Sequence, residues 1–204
     1  QAAMDTGVAR KPIADMDAYR ASLAQRADPA AAFIQGVQAR ARDVQRRIVF
    51  AEGEEPAVVR AAFSFKNQGL GHPILIGREA QVERTMEQMG VPAGTLEIIN
   101  ARLSDNNPVY TDFLYARLQR DGYLKRDVQR LVNQDRNIFG CCMLKNGDAD
   151  GMVTGVTRNY DVALSDSRLV LDTLPGQALI GMSMVINRGR TVFIADTSVT
   201  ELPQ

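Results

Sequence analysis

Short apolar stretches alternate with helical segments along this chain, and no other feature restricts its fold as much. "RRIVFA" (46–51) gives a strand over Ile48–Ala51 that stops at a glycine turn. Pro56 then opens a helix, at a position where its missing N–H is not needed. "PILIG" (73–77), "REAQVERTMEQM" (78–89) and "LEIIN" (96–100) repeat the order strand, helix, strand, with Gly69 or Gly71 and then Gly90 as helix stops. Helices are expected at 109–121, 124–134 and 137–146, a strand inside "GDADGMVTG" (147–155), and a helix over "NYDVALSDSRLVLDT" (159–173). Such alternation implies an α/β fold, a parallel sheet layered between helices. "QALIGMSMVIN" (177–187) and "TVFIAD" (191–196) add two strands joined at "NRGR". "TVFIA" is apolar on both faces and calls for covering helices. None follows, so the sequence is expected to be a piece of a longer chain.

Residues 1–29 carry turn formers without a sustained period and read as a tail or linker. From Ala30 a helical period sets Phe33, Ile34, Val37, Ala41 and Val44 on one face. Residues 30–148 are expected to form a first α/β domain, and 149–204 the start of a second, incomplete one.

Lys plus Arg and Asp plus Glu both number 24, for a net charge of zero, which argues against a nucleic-acid partner. Apolar runs fall far short of the roughly 20 residues of a membrane helix, and "QAAMDTGVARKPIADMD" lacks the apolar segment of a signal peptide. Cys141 and Cys142 are adjacent. Sequence neighbours rarely form an unstrained disulfide, so they read as core thiols suited to a reducing cytoplasm. The sole histidine, His72, sits in a "GHP" turn, and zinc or Cys–His chemistry finds no suitable spacing.

Two acidic stretches remain. "EGEEP" (52–56) lies where doubly wound folds bind ligands. Its three glutamates would repel phosphate, so it reads as helix N-terminal charge favoured by the macrodipole. "GDADGMVTG" lacks the oxygen donors of a calcium loop, and Gly151 and Gly155 suggest close backbone approach at both ends of a strand. "VTRNYD" (156–161) then puts Arg158 and Asn159 on the loop leading into a helix. There Arg158 either forks the oxygens of an anionic ligand or makes a structural salt bridge.

"IVFAEGEEPAVVRAA", "PILIG", "LEIIN", "DADGMV", "DTLPG" (172–176) and "FIADTSV" (193–199) together resemble the phosphate acetyltransferase family over roughly residues 45–200. The resemblance implies a two-domain α/β protein that binds coenzyme A between its domains and exchanges acetyl between coenzyme A and phosphate. Two departures stand out. The arginine–proline pair that this family usually carries in the helix after "DADGMV" is replaced by Ser165 and Asp166, and its reacting Ser-Arg-Gly run is absent. Ser167-Arg168 lies inside a helix, lacks the glycine, and reads as a decoy.

"AAMDTGVARKPIADMDAYRASL", "GVTRNY" and "NRGRTVFIADTSVTELP" are similar to the large, two-part bacterial NADP-dependent malic enzymes, which fuse a phosphate-acetyltransferase-like domain behind the catalytic part. This likeness implies a regulatory, acetyl-coenzyme A-sensing and oligomerisation domain, itself not catalytic, in a cytoplasmic homo-oligomer. NADP and a divalent metal then belong only to the preceding malic enzyme catalytic part. "GDADGMVTG" becomes pocket floor, with Asp150, Gly151, Thr154, Gly155, Arg158, Asn159 and Asp196 as the residues expected to meet acetyl-coenzyme A. An active phosphate acetyltransferase and a ligand-free structural oligomerisation domain are the competing readings.

Overall fold

The computed structural model of the protein describes residues 15–27, 29–187, 190–195 and 199. The chain divides into two compact units, residues 39–177 and residues 1–38 with 178–204. In the first, β1 (Arg46–Phe50), α3 (Pro56–Asn67), β2 (Gly71–Ile76), α4 (Glu79–Gln88) and β3 (Glu97–Ile99) follow in turn. Three successive helices come next: α5 (Asn107–Leu118), α6 (Lys125–Gln134) and α7 (Arg136–Asn146). β4 (Gly151–Val153) and α8 (Tyr160–Val170) complete the unit.

All four strands are parallel, in the order β3-β2-β1-β4. A fully parallel sheet must be covered on both faces, and alternation along the strands shows how this one is. Val49, Ile74 and Ile76 face a core built by Tyr110, Leu114 and Leu118 of α5, Val128 and Val132 of α6, and Ile138 and Phe139 of α7. Their neighbours Phe50 and Leu75 face the other way, onto Val58, Val59 and Ala62 of α3 and Val82 and Met86 of α4. Period-two side chains thus serve two separate cores. Gly140 of α7 carries no Cβ because one would lie 2.6 Å from the Met152 sulfur of β4.

Two expectations need correcting here. β4 does not begin a second sheet: Ile48 pairs with Gly151 and Phe50 with Val153, on the side of β1 away from β2. His72 is not a turn residue but an exposed position of β2 opposite Arg47. Pro73, which follows it, is tolerated inside β2 because β3 begins pairing only at Ile74.

The second unit holds α1 (Met16–Ala27), the first turns of α2 (Pro29–Val44), and β5 (Met182–Asn187) with β6 (Arg190–Ala195). Where a tail was expected, α1 forms, and Asp15 caps it by accepting hydrogen bonds from the N–H groups of Asp17 (3.0 Å) and Ala18 (2.9 Å). Phe33, Ile34, Val37 and Val44, the apolar stripe of α2, are all exposed. β5 and β6 pair antiparallel from Met182↔Ala195 to Asn187↔Arg190. So short a connection cannot reach a parallel partner, and a hairpin is the geometry left to it. Val192, Phe193 and Ile194 of β6 are exposed.

Candidate functional site

The chain lays down β1, β2 and β3 in one direction and then returns to place β4 beside β1. In doubly wound sheets such a reversal opens a crevice at the carboxyl ends of the two strands, the usual ligand position. Here the crevice lies between the loop after Phe50 and the loop after Val153. Its first occupant is a side chain. Glu52 is 1% exposed, and its carboxylate accepts hydrogen bonds from the N–H groups of Gly155 (2.9 Å), Val156 (2.7 Å) and Thr157 (2.6 Å) and from the Thr157 hydroxyl (2.6 Å). Gly155, at φ 110°, supplies the left-handed backbone that turns these amides inward. Burial alone would raise the Glu52 pKa, but the Thr157 hydroxyl and the three N–H groups outweigh it and hold the carboxyl below its ordinary value. Successive backbone N–H groups of this kind make an anion site, and this one is filled from within. In the sequence Glu52 looks like another of the helix-terminal charges, so its burial in this nest corrects that expectation.

Arg158 sits on the same loop. Its Nη1 donates to Asp135 and Asp166, each at 2.6 Å. Asp135 also caps α7 through the N–H groups of Asn137 and Ile138. Asn137 is fully buried; its amide donates to Asp166 (3.0 Å) and its oxygen accepts from the Thr154 hydroxyl (2.8 Å). Thr154, Asn137, Asp166, Arg158 and Asp135 form one continuous network tying β4 to α7 and α8. Of the two roles open to Arg158, the salt bridge is in place; neither its Nη2 nor its Nε is engaged among the described contacts.

The remaining candidates divide between the two ends of β4. Thr154, Gly155 and Arg158 line a cleft of about 380 Å³ with Tyr160, Ala163, Leu164 and Ser167. Asn159 stands beside it as the cap of α8, accepting from the Val162 N–H at 3.1 Å. Asp150 and Gly151 are at the other end of the strand, roughly 13 Å away at the usual strand rise. There Asp150 accepts from the Arg47 N–H (2.8 Å) and the Arg46 guanidinium (2.7 Å), fastening the start of β4 to the start of β1. Asp196 lies outside the described residues.

Ser167 donates to the Ala163 carbonyl inside α8 at 2.8 Å, and among the described residues no base accepts from it. Arg117 of α5 holds the end of that helix through the Leu169 carbonyl and the Asp172 carboxylate, which places the "DTLPG" segment. Cys141 and Cys142 are fully buried, and burial pushes their thiols up to about 11 and about 12. Thiolate is the reactive form, so neither is expected to react with iodoacetamide at about pH 8 in the folded protein. Both should be alkylated after unfolding in guanidinium; a mass shift on native protein would contradict this. Among the described residues, no three His, Cys, Asp or Glu converge as a metal-ligand set, and no helix is long and apolar enough to cross a membrane.

A parallel sheet in the order β3-β2-β1-β4, covered by helices on both faces, defines a doubly wound α/β fold. The sequence profile described as phosphate acetyl/butaryl transferase matches residues 32–204, and the chain belongs to that family. An NADP-dependent malic enzyme of Rhizobium meliloti is 53% identical over 206 residues, an alignment that covers 100% of this chain and 27% of that protein. The phosphate acetyltransferase of Corynebacterium glutamicum is 26% identical over 167 residues, covering 80% of this chain and 50% of the enzyme. A phosphotransacetylase structure from Staphylococcus aureus superposes with a TM-score of 0.72 at 22% identity, over 80% of this chain and 49% of that one. That last likeness speaks for the fold. The chain thus spans about a quarter of the malic enzymes it matches.

Proposed function

We propose that this chain is the phosphate-acetyltransferase-like part of an NADP-dependent malic enzyme, where it senses acetyl-coenzyme A and contributes to a cytoplasmic homo-oligomer without itself transferring acetyl groups. The observation that carries this reading is the alignment with malic enzymes over the whole chain, residues before the family match included. The geometry supports it. Ser165 and Asp166 replace the arginine–proline pair of the phosphate acetyltransferase resemblance, and Asp166 turns Arg158 inward. A site evolved to move phosphate gains nothing from an acid there. The cleft of Thr154, Gly155 and Arg158, beside the Asn159 cap, is the proposed acetyl-coenzyme A contact. NADP and a divalent metal serve the catalytic part that carries out the oxidative decarboxylation of malate.

The test is a pair of dose-response curves. Acetyl-coenzyme A is expected to lower malate turnover of the full-length protein, and deletion after about Ala30 to abolish that response while leaving basal turnover. Couplings of about 1–3 kcal/mol shift affinity roughly 5–150-fold, which a titration resolves. Equal inhibition of both forms would place the sensor elsewhere. Acetyl phosphate formation from acetyl-coenzyme A and phosphate is expected at background; phosphate-dependent turnover would restore the transferase reading.

A further inference from the structure

α1 lies before residue 32, where the match to the phosphate acetyltransferase profile begins, yet the malic enzyme alignment runs through it. Little within the helix holds it. Its 12 residues are at the lower limit for a helix standing alone in water. Asp15 caps the start, and Arg20 pairs with Asp17 at 3.4 Å with both side chains largely exposed, a contact that stabilises little. Among the described residues, no other helix or strand packs extensively along α1.

What α1 presents to water is apolar. Met16, Tyr19 and Leu23 stand at positions i, i+3 and i+7, on one side of the helix. They are 49%, 44% and 43% exposed. Arg20 falls beside them, so the helix as a whole shows little amphipathic contrast. α2 opens in the same way, with Phe33, Ile34 and Val37 on one side and all exposed. Single exposed apolar residues are ordinary, but two successive helices that each turn an apolar side to water have the character of an interaction surface. The alignments select its occupant. α1 accompanies the malic enzymes and not the family profile, and this chain spans only about a quarter of their length. The surface that α1 accompanies then belongs to the remainder.

We infer that α1 docks through Met16, Tyr19 and Leu23, with Phe33, Ile34 and Val37 extending the contact, on an apolar surface of the malic enzyme part of the same protein. This rests on the malic enzyme reading and not on acetyl-coenzyme A sensing. The test uses the full-length protein with Tyr19, an exposed side chain, replaced by the photo-cross-linker p-benzoylphenylalanine. Illumination is expected to join it to a peptide from the part of the protein that has no counterpart in phosphate acetyltransferases. A cross-link only within the phosphate-acetyltransferase-like part, or to α1 of a second copy, overturns the proposal. Hydrogen exchange gives an independent reading. Leu23→Glu is expected to speed exchange of the α1 amides in the full-length protein about tenfold or more, the scale of burying one leucine side chain. Leu23→Met should exchange like wild type, because methionine keeps the apolar volume. Glutamate and methionine are both close to leucine in helix propensity, so the contrast reports docking and not helix formation. Equal exchange in wild type and Leu23→Glu overturns the proposal. Malate turnover of the unmodified protein separates the two failures. Absent turnover overturns the malic enzyme reading and this docking together, whereas turnover without the expected cross-link overturns the docking alone.

Discussion

Replacing Glu52 by glutamine is expected to destabilise the fold by roughly 2–4 kcal/mol, the range for leaving buried donors unsatisfied around a lost charge. Glutamine has the same outline, so packing against the sheet is retained and the effect isolates the charge. One carboxylate oxygen accepts from the N–H groups of Gly155 and Val156, and the other from Thr157 N–H and hydroxyl. A side-chain NH₂ would confront one of these pairs with a donor. For a chain of this size the midpoint of thermal unfolding should fall by roughly 4–16 °C. The pH dependence provides an independent check. The folded pKa of Glu52 lies below its ordinary value of 4.5, so its stabilisation is complete above the unfolded pKa and is lost as pH falls through the folded one. Wild type and Glu52→Gln should therefore converge on acidification below about 4.5. A variant within 0.5 kcal/mol of wild type at neutral pH, on the order of ordinary surface changes, would mean the loop holds itself without the carboxylate.

The same contact explains why much of the fold was legible in the sequence and much of the site was not. Ile48–Phe50 and "PILIG" announced buried strands because both faces of a parallel sheet are covered. Pro56 at the start of α3 and Gly90 past the end of α4 marked boundaries that depend only on local backbone chemistry. The antiparallel pairing of β5 and β6 and the return of β4 to β1 are tertiary choices, and apolar runs carry no sign of strand direction. α1 has almost no amphipathic periodicity, and the residue that starts it, Asp15, acts as a cap only once the helix has formed. Within the site, Arg158 could be placed on its loop, but its partners are 23 residues upstream and 8 downstream. Glu52 and the amides it binds are 103 to 105 residues apart. No pattern in a single sequence joins groups at that separation. The glutamates of "EGEEP" looked alike in sequence, yet Glu52 is buried in an amide nest while Glu54 grips Arg78.

Arg158→Ala is expected to have the second large effect, a loss of about 2–4 kcal/mol, toward the lower side of the range for breaking a buried pair because the groups keep some exposure. The Arg158 side chain is 27% exposed, and those of its partners Asp135 and Asp166 are 20% and 17% exposed. Without the cation the two carboxylates would confront each other across a poorly hydrated gap, while Asp135 must still cap α7 and Asp166 must still accept from buried Asn137. Those duties prevent either acid from turning away to water. Arg158→Lys should recover part of the loss, since one ammonium can reach both acids but cannot reproduce the planar fork. The decisive measurement is a double-mutant cycle with Asp166→Asn, which keeps the shape and removes one of the two charges. If the ion pair holds β4, α7 and α8 together, the second change should offset part of the first, with a coupling energy of about 1 kcal/mol or more. Additive losses would assign Arg158 a role independent of Asp166. Whatever the cycle gives, Nη2 and Nε of Arg158 stay unengaged among the described contacts, and on the proposed contact the affinity of the full-length protein for acetyl-coenzyme A should drop in Arg158→Ala by about tenfold or more, the scale of one charged hydrogen bond.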